Sequence, residues 1–186
     1  MVKQKDLRAT VEAIWSKEKI GYHPLELFLR GASLLYRLAI LARNSCFNMG
    51  LLRQEKLPGK VISVGNIAVG GTGKTPMVIY LANLLKEKGF RPAVLSRGYK
   101  GKTKAPINIV SDGKRLLMKP EDCGDEPVLI AKSLPAIPVL TGPRRALTGR
   151  VATEQFGADV LVLDDAFQHR QLARDINIVL LNTEKP

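Results

Sequence analysis

Cysteine, aromatic residues and acidic charge are all scarce in this 186-residue chain, and each shortage narrows its class. Only two cysteines occur, Cys46 and Cys123, far apart and in no ligand spacing. That argues against a disulfide framework or a thiolate zinc site and fits a reducing compartment. Aromatics make up 5% and are scattered, so the chain lacks the rings among basic side chains that single-stranded nucleic acid needs. Nucleic acid is not an expected partner. The N-terminus, MVKQKDLRATVEAIW, has charges on both sides of a short apolar stretch and no cleavage pattern, so it does not read as a signal peptide. Internal repeats and low-complexity tracts are absent.

What is abundant is positive charge. Lys and Arg number 29 against 17 Asp and Glu, a net charge of +12 and a pI near 9.9. With 45% hydrophobic residues the composition is that of a folded protein with an anionic partner. Residues 1–60 hold eleven Lys and Arg against five Asp and Glu, so half of the excess lies in the first third of the chain.

Within that third, PLELFLRGASLLYRLAILARN (24–44) reads as a helix. Glu26, Arg30, Ser33, Arg37 and Asn44 fall on one stripe, and the rest of the circumference is apolar. The length would just span a bilayer, but each central charge costs roughly 2.5–3.5 kcal/mol to insert. An in-plane helix keeps the charges among headgroups, and Lys17, Lys19, Arg43, Arg53, Lys56 and Lys60 add attraction to anionic lipid. Packing of this helix into its own protein is the competing reading. The expectation is peripheral attachment.

Pro58-Gly59 marks a boundary, giving a helical membrane-associated segment over 1–57 and a nucleotide-binding domain over 58–186. VISVG (61–65), RPAVLSRG (91–98), PAIPVLTG (135–142), DVLVLDD (159–165) and INIVLLN (176–182) read as strands, the last two buried on both faces of a parallel sheet. INIVSDGKRLLM (107–118) reads as a small hairpin. Helices are expected over 75–89, 125–134 and 143–157. Strands alternating with helices predict an α/β fold, a three-layer P-loop NTPase sandwich with a mostly parallel sheet.

AVGGTGKTP (68–76) fits a phosphate loop between strand and helix, with Ala68 in place of the usual first glycine. Gly70, Gly71, Thr72 and Gly73 turn backbone N–H groups inward to cradle phosphate oxygens. Lys74 reaches the β- and γ-phosphates of ATP, and Thr75 is a ligand for Mg2+. Val69 replaces the signature lysine of partitioning ATPases, and no guanine-recognition motif of the Asn/Thr-Lys-x-Asp type occurs.

Asp164 and Asp165 close an apolar strand, where a carboxylate faces the phosphate loop and holds metal; being adjacent, the two point different ways. His169 follows, as catalytic or structural. In CGDEP (123–127), Asp125 and Glu126 read by pattern as a helix cap with a first-turn acid, or functionally as a base and a metal ligand. Arg97, Arg144 and Arg145 are candidates for an anionic substrate or plain surface charges.

Together, SVGNIAVGGTGKTP (63–76), LSRGYKG (95–101), GDEP (124–127), LDDAFQHR (163–170) and ARDINIVLLN (173–182) resemble the tetraacyldisaccharide 4'-kinase family, the lipid A 4'-kinases. The resemblance implies ATP-dependent phosphorylation of the 4'-hydroxyl of a membrane-embedded disaccharide 1-phosphate, the lipid A precursor. The expected setting is the cytoplasmic face of the inner membrane of a Gram-negative-type bacterium. It favours Asp125 as the base over the cap. It also implies a second, smaller domain after the last strand, so that these residues are the N-terminal part of a longer enzyme or an inactive piece of it. The alternatives are a membrane-associated P-loop ATPase that docks a partner, and a soluble small-molecule kinase that binds no lipid.

Overall fold

The structure is a computed structural model that describes residues 24–66, 73–98, 101–103, 105–166 and 170–181. Two compact units make up the chain, residues 1–52 and residues 53–186.

In the first unit the described structure is one helix, α1 (Pro24–Asn48). Proline at its start costs nothing, because the first N–H groups of a helix lack intrahelical acceptors. It runs four residues beyond the predicted end, through SCFN, before Gly50 (φ 74°) turns the chain. Arg43 lies over the Phe47 ring one turn on, 5.6 Å from its centroid. Leu27, Phe28, Leu35 and Tyr36 are each about 70% exposed or more. Among the described residues no helix is long and apolar enough to cross a membrane.

The second unit is built on one six-stranded sheet of β1 (Lys60–Asn66), β2 (Pro92–Ser96), β3 (Asn108–Ser111), β4 (Val139–Thr141), β5 (Val160–Asp164) and β6 (Ile176–Leu180). Their spatial order is β3-β4-β2-β5-β1-β6, with only the β3–β4 pair antiparallel. The helices are α2 (Lys74–Glu87), α3 (Pro120–Cys123), α4 (Asp125–Ser133) and α5 (Arg145–Phe156). From β1 to β2 the chain travels one way across the sheet, and from β4 to β5 it travels back. Right-handed crossovers therefore put α2 and α5 on opposite faces.

Alternation along the strands sorts the core accordingly. Val64, Val94, Val139 and Val162 pack with Val78 and Ala82 of α2 and Val128, Ile130 and Ala131 of α4. Val61, Leu95, Leu140, Leu161 and Leu163 pack on the other face with Ala146 and Ala152 of α5. These are the three layers the sequence predicts. The α5 layer lies close because its contact residues are small; a Cβ on Gly149 would stand 3.2 Å from Leu161 Cδ1 of β5 and 3.5 Å from Leu95 Cδ1 of β2.

Two predicted elements differ. β5 is buried throughout, but β6 is an edge strand paired only with β1 on its described side, and its first residues are exposed. Of the predicted hairpin over 107–118 only β3 forms a full arm; the return contributes one bridge, Ser111 to Leu116. Asp112 organises the tip by accepting from the N–H groups of Lys114 and Arg115, at 2.7 and 2.6 Å.

Residues 53–57 are stitched to the chain before β6. The Glu55 N–H donates to the Gln171 carbonyl, Ala173 N–H returns a bond to Glu55, and Gln54 Nε2 donates to the Arg170 carbonyl.

Candidate active site

Four parallel strands end at the same edge of the sheet, and each closes an apolar run with a polar residue: Asn66, Ser96, Thr141 and Asp164. Period-two alternation places Ser96, Thr141 and Asp164 beyond Val94, Val139 and Val162, on the face covered by α2 and α4. The first turns of those two helices meet there.

Gly73 precedes α2 in a left-handed conformation (φ 78°), so the helix starts abruptly after the phosphate loop. Its first turn carries no acid and no side chain caps it, leaving the positive helix end for an anion. Lys74 Nζ donates to Asn66 Oδ1 (3.0 Å) and to Asp165 Oδ1 (2.8 Å). Thr75 Oγ1 donates to Glu126 Oε1, joining α2 to α4.

The two aspartates have opposite surroundings. Asp165 is exposed, in a left-handed conformation (φ 48°), and paired with Lys74. Asp164 is 1% exposed. Its Oδ2 accepts from Ser96 Oγ at 3.2 Å, and its buried Oδ1 has no partner among the described residues. Burial first, then the nearby Glu126 charge, pushes its pKa up to about 6, against the Ser96 bond and the Lys74 charge. A carboxylate left underbonded beside a second carboxylate and a threonine hydroxyl is a donor set suited to a hard divalent cation. The two protein carboxylates fit Mg2+, which takes few protein ligands and completes its shell with phosphates and water.

Asp125 and Glu126 form the exposed first turn of α4. The cap reading fails: the N-cap is Gly124, at φ 94°, and no side chain caps the helix. Glycine takes that position because its backbone conformation strains any L side chain. Asp125 therefore stands in the helix instead of before it.

The arginines separate. Arg97 follows β2 and is exposed, as is Arg144, the N-cap residue of α5. Arg145 is 3% exposed, so the reading of it as a plain surface charge is corrected. Nη1 donates to the Gly142 carbonyl (2.8 Å) and Nη2 reaches the Asp164 carbonyl (3.5 Å), tying the start of α5 to the end of β5. Burial pulls its pKa down to about 10, so it stays charged at neutral pH.

Gly70, Gly71, Thr72 and His169 lie outside the described residues. Sequence reasoning missed Asn66 and Ser96, which hold Lys74 and Asp164. The available signal was a polar residue closing an apolar strand.

A family model described as tetraacyldisaccharide-1-P 4'-kinase matches residues 25–186. The chain is similar to the tetraacyldisaccharide 4'-kinase of Syntrophus aciditrophicus (strain SB), 63% identical over 163 residues that cover 88% of this chain and 44% of that protein. It is 46% identical to the enzyme so named from Anaeromyxobacter dehalogenans (strain 2CP-C) over 181 residues, 95% of this chain and 47% of the relative. The crystal structure of "apo" form LpxK from Aquifex aeolicus in complex with ATP superposes with a TM-score of 0.78 at 47% identity, covering 86% of this chain and 50% of that one. The chain thus spans about half the length of the relatives it matches.

Proposed function

The chain belongs to the tetraacyldisaccharide-1-P 4'-kinase family, and from that membership we propose that it is the nucleotide-binding part of the lipid A 4'-kinase. The enzyme transfers the γ-phosphate of ATP to the 4'-hydroxyl of a tetraacyl disaccharide 1-phosphate. The observation that carries this reading is the meeting of Lys74 and Thr75 on α2 with Asp164, Asp165 and Glu126 at one sheet edge. The ATP in the Aquifex structure supports the choice of nucleotide.

In this reading the uncapped start of α2, with Gly70, Gly71, Thr72 and Gly73, receives the phosphates, and the Lys74 ammonium offsets charge on the β- and γ-oxygens. Thr75, Glu126 and Asp164 would hold Mg2+, with Asp165, now paired with Lys74, as a further candidate; when bound, the ion would neutralise charge on the transferring phosphoryl group. Asp125, exposed on the first turn of α4, accepts the proton of the 4'-hydroxyl, and His169 is kept as a further catalytic candidate. The hydroxyl oxygen bonds to the γ-phosphorus as the bond to the β–γ bridging oxygen breaks, and ADP leaves. Arg97 and Arg144, both exposed at this edge, attract the anionic acceptor.

The division of labour follows the chain. Residues 1–52 attach to the membrane, with α1 in the plane of the interface, and residues 53–186, which include the 53–57 stretch bonded to the nucleotide-binding unit, bind nucleotide. The exposed leucines of α1 and the basic balance of the first 60 residues support a place on the cytoplasmic face of an inner membrane.

The test is γ-phosphate transfer from Mg-ATP to the tetraacyl disaccharide 1-phosphate in detergent micelles, with Asp125→Ala alongside. Transfer that disappears in the variant supports the kinase reading and the base. Transfer undiminished in the variant removes Asp125 from that role. Binding of Mg-ATP that needs Lys74, without transfer, assigns these residues the nucleotide half alone. Neither binding nor transfer sinks the reading.

A further inference from the structure

LSRGYKG (95–101) and GDEP (124–127) stand well apart in the chain, and the kinase reading draws on them only through Arg97, Asp125 and Glu126. The glycines of the first motif are left without a task. In the structure its last residue lies against the residues that introduce the second motif.

The contact is backbone on backbone. The Lys102 N–H donates to the Glu121 carbonyl at 3.1 Å and the Thr103 N–H to the Asp122 carbonyl at 3.0 Å, so residues 101–103 form a strap along α3. Gly101 is the point of closest approach. A Cβ there would stand 2.5 Å from the Asp122 carbonyl oxygen and 2.9 Å from both Cα and the carbonyl carbon of Cys123. All of these are main-chain atoms, so no rotamer change relieves the overlap and only glycine allows the approach. Gly98, in a left-handed conformation (φ 74°), nears the same residue less tightly: its Cβ would meet the Cys123 carbonyl oxygen at 3.3 Å and the Thr141 side chain at 3.2 Å.

What the strap presses on is tied to the site. Cys123 is 1% exposed and packs in the same cluster as Val128 and Ile130 of α4. The Gly124 N–H bonds back to the Pro120 carbonyl at 2.8 Å, and Gly124 is the N-cap of α4. Asp125 and Glu126 follow at once, with Glu126 bonded to Thr75 of α2. A displacement of Cys123 has only Gly124 in which to be absorbed before it reaches the two acids.

We infer that Gly101 is a positioning residue for the metal site, one that lets the strap seat α3 where the Glu126 carboxylate meets Thr75. The assignment rests on the kinase reading, which makes Glu126 a Mg2+ ligand. That ion demands near-octahedral geometry with oxygens at about 2.0–2.1 Å, so a ligand carried off by a fraction of an ångström is held poorly. A side chain at position 101 parts the strap from α3, and the first turn of α4 follows.

The full 186-residue chain is titrated with a fluorescent ATP analogue in magnesium and in EDTA, and the ratio of the two affinities is its magnesium gain. Native protein is compared with Gly101→Ala, Glu126→Ala, the two combined, and Gly59→Ala. Gly59 controls for crowding as such, since a Cβ there would stand 2.8 Å from the Asp159 carbonyl oxygen at the opposite edge of the sheet. Gly101→Ala should cut the gain on the order of tenfold while affinity in EDTA, which reports an intact fold and α2, is kept. Gly59→Ala should keep the native gain. Added to Glu126→Ala, Gly101→Ala should cause no further loss, because it acts through that carboxylate. If Gly101→Ala binds no nucleotide in EDTA, Gly98→Ala replaces it, with the same pattern and a smaller loss expected. The inference falls if the gain is native in the position-101 variant, if Gly59→Ala loses it equally, or if the losses at 101 and 126 add in full. It falls also if both strap variants lose binding in EDTA, which would make the strap a fold element alone. A native chain that binds the analogue with no magnesium gain strikes the metal site of the kinase reading first, and this inference with it.

Discussion

The two edges of the sheet treat their carboxylates in opposite ways. Where the parallel strands begin, each acid is satisfied twice. Asp175 accepts from Lys60 Nζ and the Val61 N–H, both at 2.9 Å. Asp159 accepts from the Arg91 N–H at 2.7 Å and from Arg91 Nε at 3.2 Å. The bonds to Lys60 and Val61 hold the Asp175 carboxyl below the usual range. Where the strands end, Asp164 keeps an oxygen without a partner among the described residues and its pKa rises to about 6. Asp165, beside it, occupies a strained left-handed conformation. The first edge is bonded for stability. At the second, Asp164 is left underbonded, as expected of a group reserved for a ligand.

The largest effect that would test this contrast is on binding. Lys74→Ala should weaken Mg-ATP binding by about a hundredfold by titration, because a desolvated charge-assisted contact to phosphate is lost. Affinity within threefold of native would remove Lys74 from the nucleotide site.

Next comes a stability gain. The Asp164 pKa is raised, so the native state retains a proton between about pH 4 and pH 6 that the unfolded chain has released. Ionising the buried group lowers stability as pH rises through that window. Asp164→Asn should therefore unfold at higher urea concentration at pH 8, by roughly 2 to 3 kcal/mol, with the gain fading near pH 4. The same variant should lose stabilisation by Mg-ATP. A variant no more stable than native at pH 8 would mean that Asp164 is better satisfied than its geometry indicates.

Asp175→Ala should do the opposite, costing about 1 kcal/mol at pH 8 with nucleotide affinity unchanged. Its pKa is lowered, so its contribution is present above the unfolded value and lost as pH falls through the folded one; the difference from native should shrink below about pH 4. A smaller loss, on the order of 0.5 kcal/mol, is expected for Asp159→Ala, whose partner Arg91 is largely exposed. Reduced ATP affinity in either variant would blur the separation of the edges.

Much of this arrangement was legible in the sequence, for a physical reason. Strands buried on both faces read as continuous apolar runs, so Val160–Asp164 declared itself, and the acids at its end pointed to the site edge. β6 has an equally apolar sequence yet lies at the edge, because which neighbour a strand lacks is decided by topology and leaves no local mark. Arg145 was illegible for a related reason. Its burial depends on the Gly142 and Asp164 carbonyls, and Asp164 is 19 residues away. At Asp125 the pattern of an acid before a helix suggested a cap, but the preceding glycine takes that place and the acid moves one position into the helix.

The order of the strands also sets a timetable for the growing chain. β1 is synthesised first, yet its two sheet neighbours, β5 and β6, are made about a hundred residues later. On a ribosome adding roughly 5–20 residues per second, its VISV run stays without either hydrogen-bonding partner for several seconds. Such non-local parallel pairings form slowly, because the intervening loop must close first. β1, which lies between β5 and the edge strand β6 in the finished sheet, is thus the strand most in need of chaperone cover during synthesis.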